Sequence, residues 1–340
     1  MLQIINEKPK ISVILPFYNA ATTLERAISS IANQSFTNFE CILIDNNSKD
    51  KSSDIAYSWT KKDKRFILLT EKQQGVVFAS NTGSKAARGN YIARMDADDW
   101  AYPDKLKLQA EFLDNHSDYG AVACLVKHIP HNENTEGFSR FVQWSNSIQS
   151  FEEISIRRFI ELPIVNPSAM WRKETAREFG MYLSGDFPED YELWLRWLNN
   201  GLKIQKIPKA LLKWYDSDTR LTRTHDIYSD KAFYKIKTKY LADWLKTHNP
   251  FHPNVAIWGA SRISRRRAKL LEQYGINISC YIDTKEGRQL DHKVFYYKDI
   301  PSSNEIFVLS YIKQMNNRAQ IRDFLNTKGY IEGKHYLQVS

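Results

Sequence analysis

The densest chemistry in this chain lies in Arg94-Met95-Asp96-Ala97-Asp98-Asp99-Trp100. Three carboxylates within four positions repel one another, and crowding them raises the cost of keeping all three ionised. Some positive charge must offset them. A divalent cation with oxygen ligands does so, and Mg²⁺ or Mn²⁺ is commonly held by one or two carboxylates together with phosphate oxygens. The competing reading is structural: Asp98 or Asp99 caps a turn ahead of a helix beginning near Pro103. A second acidic pair, Glu189-Asp190, stands just before an apolar run. One of two adjacent carboxylates can serve as a proton acceptor, its pKa raised by the other. The same pair also suits an ordinary helix N-terminus, where the dipole favours negative charge.

The elements around these residues follow from periodicity and punctuation. Ile11 to Leu15 is a β-rich run ending at Pro16, and Cys41 to Ile44 is a second such run ending at Asp45. Phe66 to Leu69 and Tyr91 to Met95 are further strands, the last ending at Asp96. Thr22-x-x-Glu25 has the form of a capping box before Leu24, Ala27, Ile28 and Ile31 at helical spacing. Ser52 to Thr60 and Val76 to Ala87 read as helices, the second stopped by Gly89, and Pro103 opens a fourth helix carrying Leu106, Ala110 and Leu113. Strand and helix thus alternate four times in about 115 residues, which predicts a mostly parallel sheet with helices on both faces. Ligands of such sheets sit beyond the carboxyl ends of the strands, where Asp45 and Asp96 fall.

Beyond Gly120 the alternation weakens. Phe151 to Leu162 and Tyr191 to Asn199 read as helices; Ser168 to Trp171, Leu202 to Ile207 and Leu211 to Tyr215 read as strands. Ser229 to His248 reads as one long amphipathic helix, followed by a break at Pro250 to Pro253. Val255 to Trp258, Ile278 to Ile282 and Ile306 to Leu309 are strands, interleaved with helices over Arg262 to Tyr274 and Asn316 to Thr327. The expected organisation is an α/β domain over residues 1–230, a helical linker over 231–252 and a smaller α/β unit over 253–340.

Composition narrows the class. The chain has 340 residues, 42% hydrophobic and 26% charged, the profile of an ordinary globular protein. The opening residues lack the apolar run of a signal peptide, and no stretch approaches the roughly 18 apolar residues of a spanning helix. Cys41, Cys124 and Cys280 are dispersed in apolar runs, which argues for a reducing cytoplasm and against disulfides or a zinc site. The formal net charge of +9 admits nucleic acid, an anionic membrane face or a phosphorylated substrate. The basic runs Lys61 to Arg65 and Arg265 to Arg267 are not interleaved with aromatics as a nucleic-acid platform would be, so no nucleic acid is expected.

Several motifs together resemble glycosyltransferase family 2. Ile11 to Asn19 looks like its opening strand, and Ile44-Asp45-Asn46-Asn47-Ser48-Lys49-Asp50 is similar to its second-strand motif. Gly75, Asn81, Gly83, Ala86, Arg88-Gly89 and Tyr91 follow its next segment. Asp96-Ala97-Asp98-Asp99, with Pro103, Leu106 and Gln109 behind it, resembles its Asp-x-Asp loop, and Glu189-Asp190 its late acidic pair. The likeness runs from about Lys10 to Tyr228. It departs from the family pattern at Asn46-Asn47, where the usual residues are Asp-Gly.

The resemblance implies a GT-A fold and inverting transfer of a sugar from a nucleotide-diphosphate sugar, with uracil or thymine the favoured base. The acceptor would be a hydroxyl of a glycan or lipid-linked molecule in cell-surface polysaccharide synthesis. The location would be cytoplasmic, at the inner membrane face, and the basic charge would suit peripheral docking there. In this reading Asp45 hydrogen-bonds the nucleobase beside Pro16, Phe17 and Tyr18, with Asn81 and Arg94 on the nucleotide. Asp96 contacts the ribose or the metal shell, and Asp98 ligates Mn²⁺ or Mg²⁺ at the diphosphate. Asp190 is the catalytic base, with Glu189 beside it. Trp214 to Ser229 resembles a late loop closing over the donor, with His225 a metal ligand and Arg220 or Arg223 on the diphosphate. Asn166-Pro167-Ser168 before Trp171 looks like an acceptor-side motif. Trp171, Trp194 and Trp197 could stack on sugar, although tryptophans at helical spacing are more often core.

Two rival classes remain. Val255 to Ser261 followed by a helix, a strand and Asp283 outlines a dinucleotide-binding unit, which would make this an NAD(P)-binding oxidoreductase or regulatory module. The G-x-G-x-x-G positions read Gly259, Ser261 and Ser264, so two of three glycines are missing. The tail resembles small Rossmann-like domains attached to some bacterial family 2 transferases and reads as a unit for assembly, anchoring or regulation. A catalytically inactive sugar-binding protein is disfavoured by the full set of acidic motifs.

Overall fold

The computed structural model describes residues 8–131, 136–217 and 225–340. The chain forms two compact units. One takes the chain up to Phe151 with Pro163–Gly185 and Asn200–His225; the other takes Glu152–Leu162, Asp186–Asn199 and Asp226–Ser340.

The first unit is built on β1 (Ile11–Phe17), α1 (Leu24–Ala32), β2 (Phe39–Asp45), α2 (Ser52–Lys62), β3 (Phe66–Thr70), α3 (Val76–Ala86) and β4 (Tyr91–Arg94). There follow β5 (Trp100–Ala101), α4 (Lys105–Asn115), β6 (Ala121–Ile129), α5 (Glu136–Ser147), β7 (Met170–Arg172) and α7 (Lys173–Phe179), while α6 (Phe151–Arg157), between α5 and β7 in the chain, falls almost wholly in the second unit. The eight-stranded sheet runs β3-β2-β1-β4-β7-β6-β8-β5, with β8 at Ile204–Tyr215. β1 pairs parallel with both β2 and β4, and β7 runs antiparallel to β4. Every residue of β1 and β2 is buried, as befits central parallel strands covered on both faces. α3 lies close against them because Gly83 has no side chain: a Cβ there would sit 2.7 Å from both Ile14 Cγ2 and Ile44 Cδ1.

Several local expectations are corrected. The Thr22-x-x-Glu25 capping box does not form: the N-cap is Thr23 without a side-chain cap, and Glu25 accepts the Trp59 indole N–H at 2.7 Å instead. Leu202 to Ile207 and Leu211 to Tyr215 are one strand, β8, which stays paired with β6 across Pro208 by shifting register around Leu125. β5, β6, α5 and α7 were not expected: β5 and α7 are short, and β6 and α5 fall where the strand–helix alternation weakens after Gly120.

The second unit holds α8 (Glu189–Asn199), α9 (Asp230–His248), β9 (Asn254–Trp258), α10 (Arg262–Ala268), β10 (Asn277–Asp283), β11 (Val294–Tyr296), β12 (Val308–Ser310), α11 (Met315–Thr327) and β13 (Tyr336–Gln338). Its sheet is parallel throughout, in the order β11-β10-β9-β12-β13. Succession runs outward from β9 in one direction and then restarts at β12 on the other side, the doubly wound pattern. α8 is tied to α9 by Tyr240 Oη donating to Glu192 Oε1 (2.5 Å) and Asn199 Nδ2 donating to the Tyr240 carbonyl (2.9 Å). The segment expected as a single helix over Arg262 to Tyr274 is α10 followed by a 3₁₀ stretch from Lys269 to Tyr274.

Candidate active site

Strand order places the acidic residues of the first unit. β2 and β4 are the two neighbours of β1, so their carboxyl ends flank the end of β1 where the winding direction changes. Asp45 ends β2 and pairs in register with Phe17; Asp96 follows β4 by two residues. Two strand spacings separate them, roughly 10 Å.

The Asp96 to Asp99 loop draws its carboxylates together. Asp96, Asp98 and Asp99 each offer an oxygen within 4.8 Å of the others. That is close enough for one hard cation to be shared directly or through a water. Protein cations offset part of this charge. Arg94, buried, donates from Nε to Asp96 Oδ1 (2.8 Å) and from Nη1 to Ser80 Oγ (2.5 Å). Arg26 donates to the Asp98 carbonyl (2.5 Å) and stacks 3.7 Å over the Tyr215 ring. Lys105 is fully buried and donates to the Arg94 carbonyl (3.3 Å). Burial pushes its ammonium below the usual value, while Cys124, Asp99 and Asp96 pull it back up. Asp99, 1% exposed, accepts the Tyr215 N–H at 3.0 Å and so joins the loop to β8.

Around β2, Asp45 Oδ1 accepts the Ser48 N–H (2.9 Å), a side-chain bond to the backbone three residues on that leaves Oδ2 for another donor. Asn46 is buried and staples the loop after β3. Its amide donates to the Glu71 and Gln73 carbonyls (3.0 and 2.7 Å), and its Oδ1 accepts the Gly75 N–H (2.8 Å). An aspartate could not donate those two bonds. Asn47 occupies the left-handed region (φ 66°), which asparagine tolerates and which explains how it stands where the family has glycine.

Of the expected nucleotide residues, Pro16 and Phe17 are buried in β1, and Tyr18, 49% exposed, is the aromatic that faces out. Asn81 donates to the Tyr182 carbonyl (2.9 Å), and its buried Oδ1 has no hydrogen-bond partner. Arg94 spends its donors within the protein and orients Asp96. His225 is exposed and is not among the three clustered groups; Arg220 and Arg223 lie outside the described residues. Trp171, Trp194 and Trp197 are fully buried, on the core side of the alternatives weighed above. In the second unit, Glu189 Oε2 accepts the Tyr228 hydroxyl (2.6 Å), and Asp190, half-buried in the first turn of α8, accepts the Tyr191 N–H (2.7 Å).

The sequence model of glycosyl transferase family 2 matches residues 12–180. An uncharacterized glycosyltransferase of Methanocaldococcus jannaschii is 30% identical over 259 residues, covering 74% of this chain and 85% of that protein. The chain belongs to glycosyl transferase family 2. A second relative, an uncharacterized glycosyltransferase of Haemophilus influenzae, is 28% identical over 243 residues, covering 70% of this chain and 75% of its own length. Among solved structures, residues 1–349 of S. aureus TarS in complex with UDP-GlcNAc share the fold. The TM-score is 0.57 at 18% identity, over 78% of this chain and 71% of that one. This family 2 glycosyltransferase therefore has the GT-A-like sheet that its motifs implied, plus a second, smaller parallel sheet. No helix among its described residues is long and apolar enough to cross a membrane.

Three contributors to the site were not singled out from sequence. Lys105 was detectable in principle: it stands four residues before Gln109 and eight before Leu113, on the buried face of α4. Asn46 was noticed only as a departure from the family pattern. Arg26 carries no sequence signal, since it sits amid an ordinary amphipathic helix.

The second unit's strand-end groups are differently engaged. Gly259 (φ 118°) follows β9, and a Cβ there would lie 2.9 Å from Ser264 Oγ. Ser261 caps α10, accepting the Ser264 N–H at 3.2 Å. Asp283 is ion-paired with Arg288 (2.8 Å) and accepts the Lys285 N–H (2.9 Å).

Proposed function

We propose that this glycosyltransferase moves a sugar from a UDP-sugar to a hydroxyl of a glycan or lipid-linked acceptor, with inversion, in cell-surface polysaccharide synthesis at the cytoplasmic membrane face. The observation that carries the reading is the convergence of Asp96, Asp98 and Asp99 beside the end of β1, with Asp45 on its other side. The fold shared with TarS, whose structure holds UDP-GlcNAc, makes a uridine donor the first to test.

In this reading Asp45 Oδ2 accepts the imide N–H of the base, and Tyr18 packs against its ring. Asn46 holds the loop over Glu71 to Gly75 at the same strand end. Asp96, fixed by Arg94, and Asp98 hold Mn²⁺ or Mg²⁺, with Asp99 bracing the loop against β8. The bound ion would supply Lewis-acid charge opposite the leaving diphosphate. Arg220, Arg223 and His225 are assigned to the diphosphate and metal side on the family likeness of their loop. The acceptor oxygen bonds to the anomeric carbon as the bond from that carbon to the diphosphate oxygen breaks. Asp190 takes the acceptor proton, and UDP leaves. The assignment of Asp190 rests on motif order and on its place in the first turn of α8. Residues 1–230 are assigned to transfer, and 253–340 to assembly, anchoring or regulation.

The test is a screen of nucleotide sugars for hydrolysis and thermal stabilisation with Mn²⁺ and with EDTA. A UDP-sugar should stabilise the protein and be slowly hydrolysed only with the ion. Equal behaviour in EDTA would remove the metal from the account, and indifference to every nucleotide sugar would remove the donor.

A further inference from the structure

Positive charge is unevenly distributed along this chain. Residues 226–340 carry 19 Lys and Arg against 11 Asp and Glu, a formal +8 of the +9 of the whole. Part of that excess is focused on the second unit. Arg262, Arg265, Arg266 and Lys269 recur at the i, i+3, i+4, i+7 spacing of one helical face, on α10 and the turn that continues it. They line a cavity of about 470 Å³ together with Tyr281 and His292.

The four cations outnumber the two carboxylates of this cleft, Glu272 and Asp291. Arg267, on the adjoining face, is ion-paired with Asp230 at 2.9 Å. Among the described residues none of the four lining cations has a carboxylate partner, although Glu272 and Asp291 also line the cleft. Arg265 Nε is buried without a hydrogen-bond partner. Unpaired guanidinium groups converging on a concave surface match tetrahedral phosphate oxygens, which Arg binds through paired N–H donors. Beside them Ile263, 54% exposed, presents an apolar side chain to solvent. A cation cluster with an exposed aliphatic neighbour has the composition of a surface that meets lipid headgroups at the acyl boundary.

We propose that this cleft seats phosphate headgroups of anionic phospholipids and docks the chain on an anionic membrane face. The excess charge of residues 226–340 attracts the surface at a distance, and the four cations of the cleft hold the headgroup at contact. Attraction from the scattered charges is screened beyond about 8 Å at physiological salt, whereas contact in the cleft is screened less. The inference is independent of the transfer chemistry, because vesicle binding requires neither donor nor divalent ion.

Flotation of the full chain with vesicles tests it, at physiological salt and with EDTA present. The protein should float with vesicles of mixed phosphatidylglycerol and phosphatidylcholine and stay behind with phosphatidylcholine alone. The triple variant Arg262→Glu, Arg266→Glu, Lys269→Glu should lower partitioning at least about tenfold. The charge-matched variant Lys231→Glu, Lys235→Glu, Lys239→Glu, on exposed positions of α9, should lower it much less. A milder cleft variant, Arg262→Gln with Arg266→Gln, should lose part of the binding at an unchanged melting temperature. Equal losses in the two triple variants would show diffuse charge rather than a cleft and overturn the proposal. Absence of flotation with phosphatidylglycerol would overturn it too, as would displacement by micromolar inorganic diphosphate, which would mark a site for soluble anions.

Discussion

The two units share one topological feature and furnish it with differently engaged side chains. Each has a doubly wound region whose winding direction changes beside a central strand, β1 in one and β9 in the other. At the first, Asp45, Asp96, Asp98 and Asp99 gather, and Arg94 holds Asp96. At the second, the strand-end acid Asp283 is already taken by Arg288, and the Gly259 turn is crowded by Ser264. Position at a strand end is therefore a condition for a site and not a site in itself. The side chains standing there, and what already holds them, decide the chemistry.

The comparison breaks most sharply at the proposed base. Asp190→Asn should leave donor binding intact and lower turnover roughly 10²- to 10⁴-fold, the range of general base catalysis. Steady-state kinetics of transfer would read this. Turnover within a few-fold of the parent would leave Asp190 as an ordinary first-turn carboxylate of α8.

Much of this was legible in the sequence, and the exceptions have physical causes. The strands of the first unit declared themselves because central parallel strands are continuous apolar runs: Ile11 to Leu15 and Cys41 to Ile44 are buried throughout. The acidic loop was legible because clustered like charges are costly and therefore meaningful. The region after Gly120 was not. β6 ends in exposed Lys127 and half-buried His128 and Ile129, and β8 continues through a proline that ordinarily interrupts a strand. Long-range partners were equally hidden. Nothing local in Glu25 foretold Trp59, and the helical spacing that puts Lys105 on the buried face of α4 does not say that it lies near Asp96 and Asp99.

Smaller effects sharpen the comparison. Gly83→Ala places a methyl 2.7 Å from two isoleucines in the first sheet and should cost about 1–3 kcal/mol, read as a lower Tm. Asn46→Asp faces a carboxylate with two carbonyl oxygens it now serves as donor. It should cost about 1–3 kcal/mol and raise the donor KM more than it lowers kcat. An unchanged KM would detach the loop over Glu71 to Gly75 from the donor. The smallest effect belongs to the second unit: NAD(H) should bind the full chain weakly or not at all at physiological salt, measured by calorimetry. Micromolar binding lost on Asp283→Ala would restore a dinucleotide site there.

The central claim is that the acidic loop of the first unit holds a divalent ion that joins the nucleotide to the protein. Calorimetric titration of UDP, with Mn²⁺ and with EDTA, into the parent and into Asp98→Ala tests it most directly. Binding in the parent should depend on Mn²⁺, and Asp98→Ala should abolish the Mn²⁺-dependent part at an unchanged melting temperature, because Asp98 is a half-exposed loop residue outside the core. Equal UDP affinity in parent and variant, with and without the ion, would contradict the account.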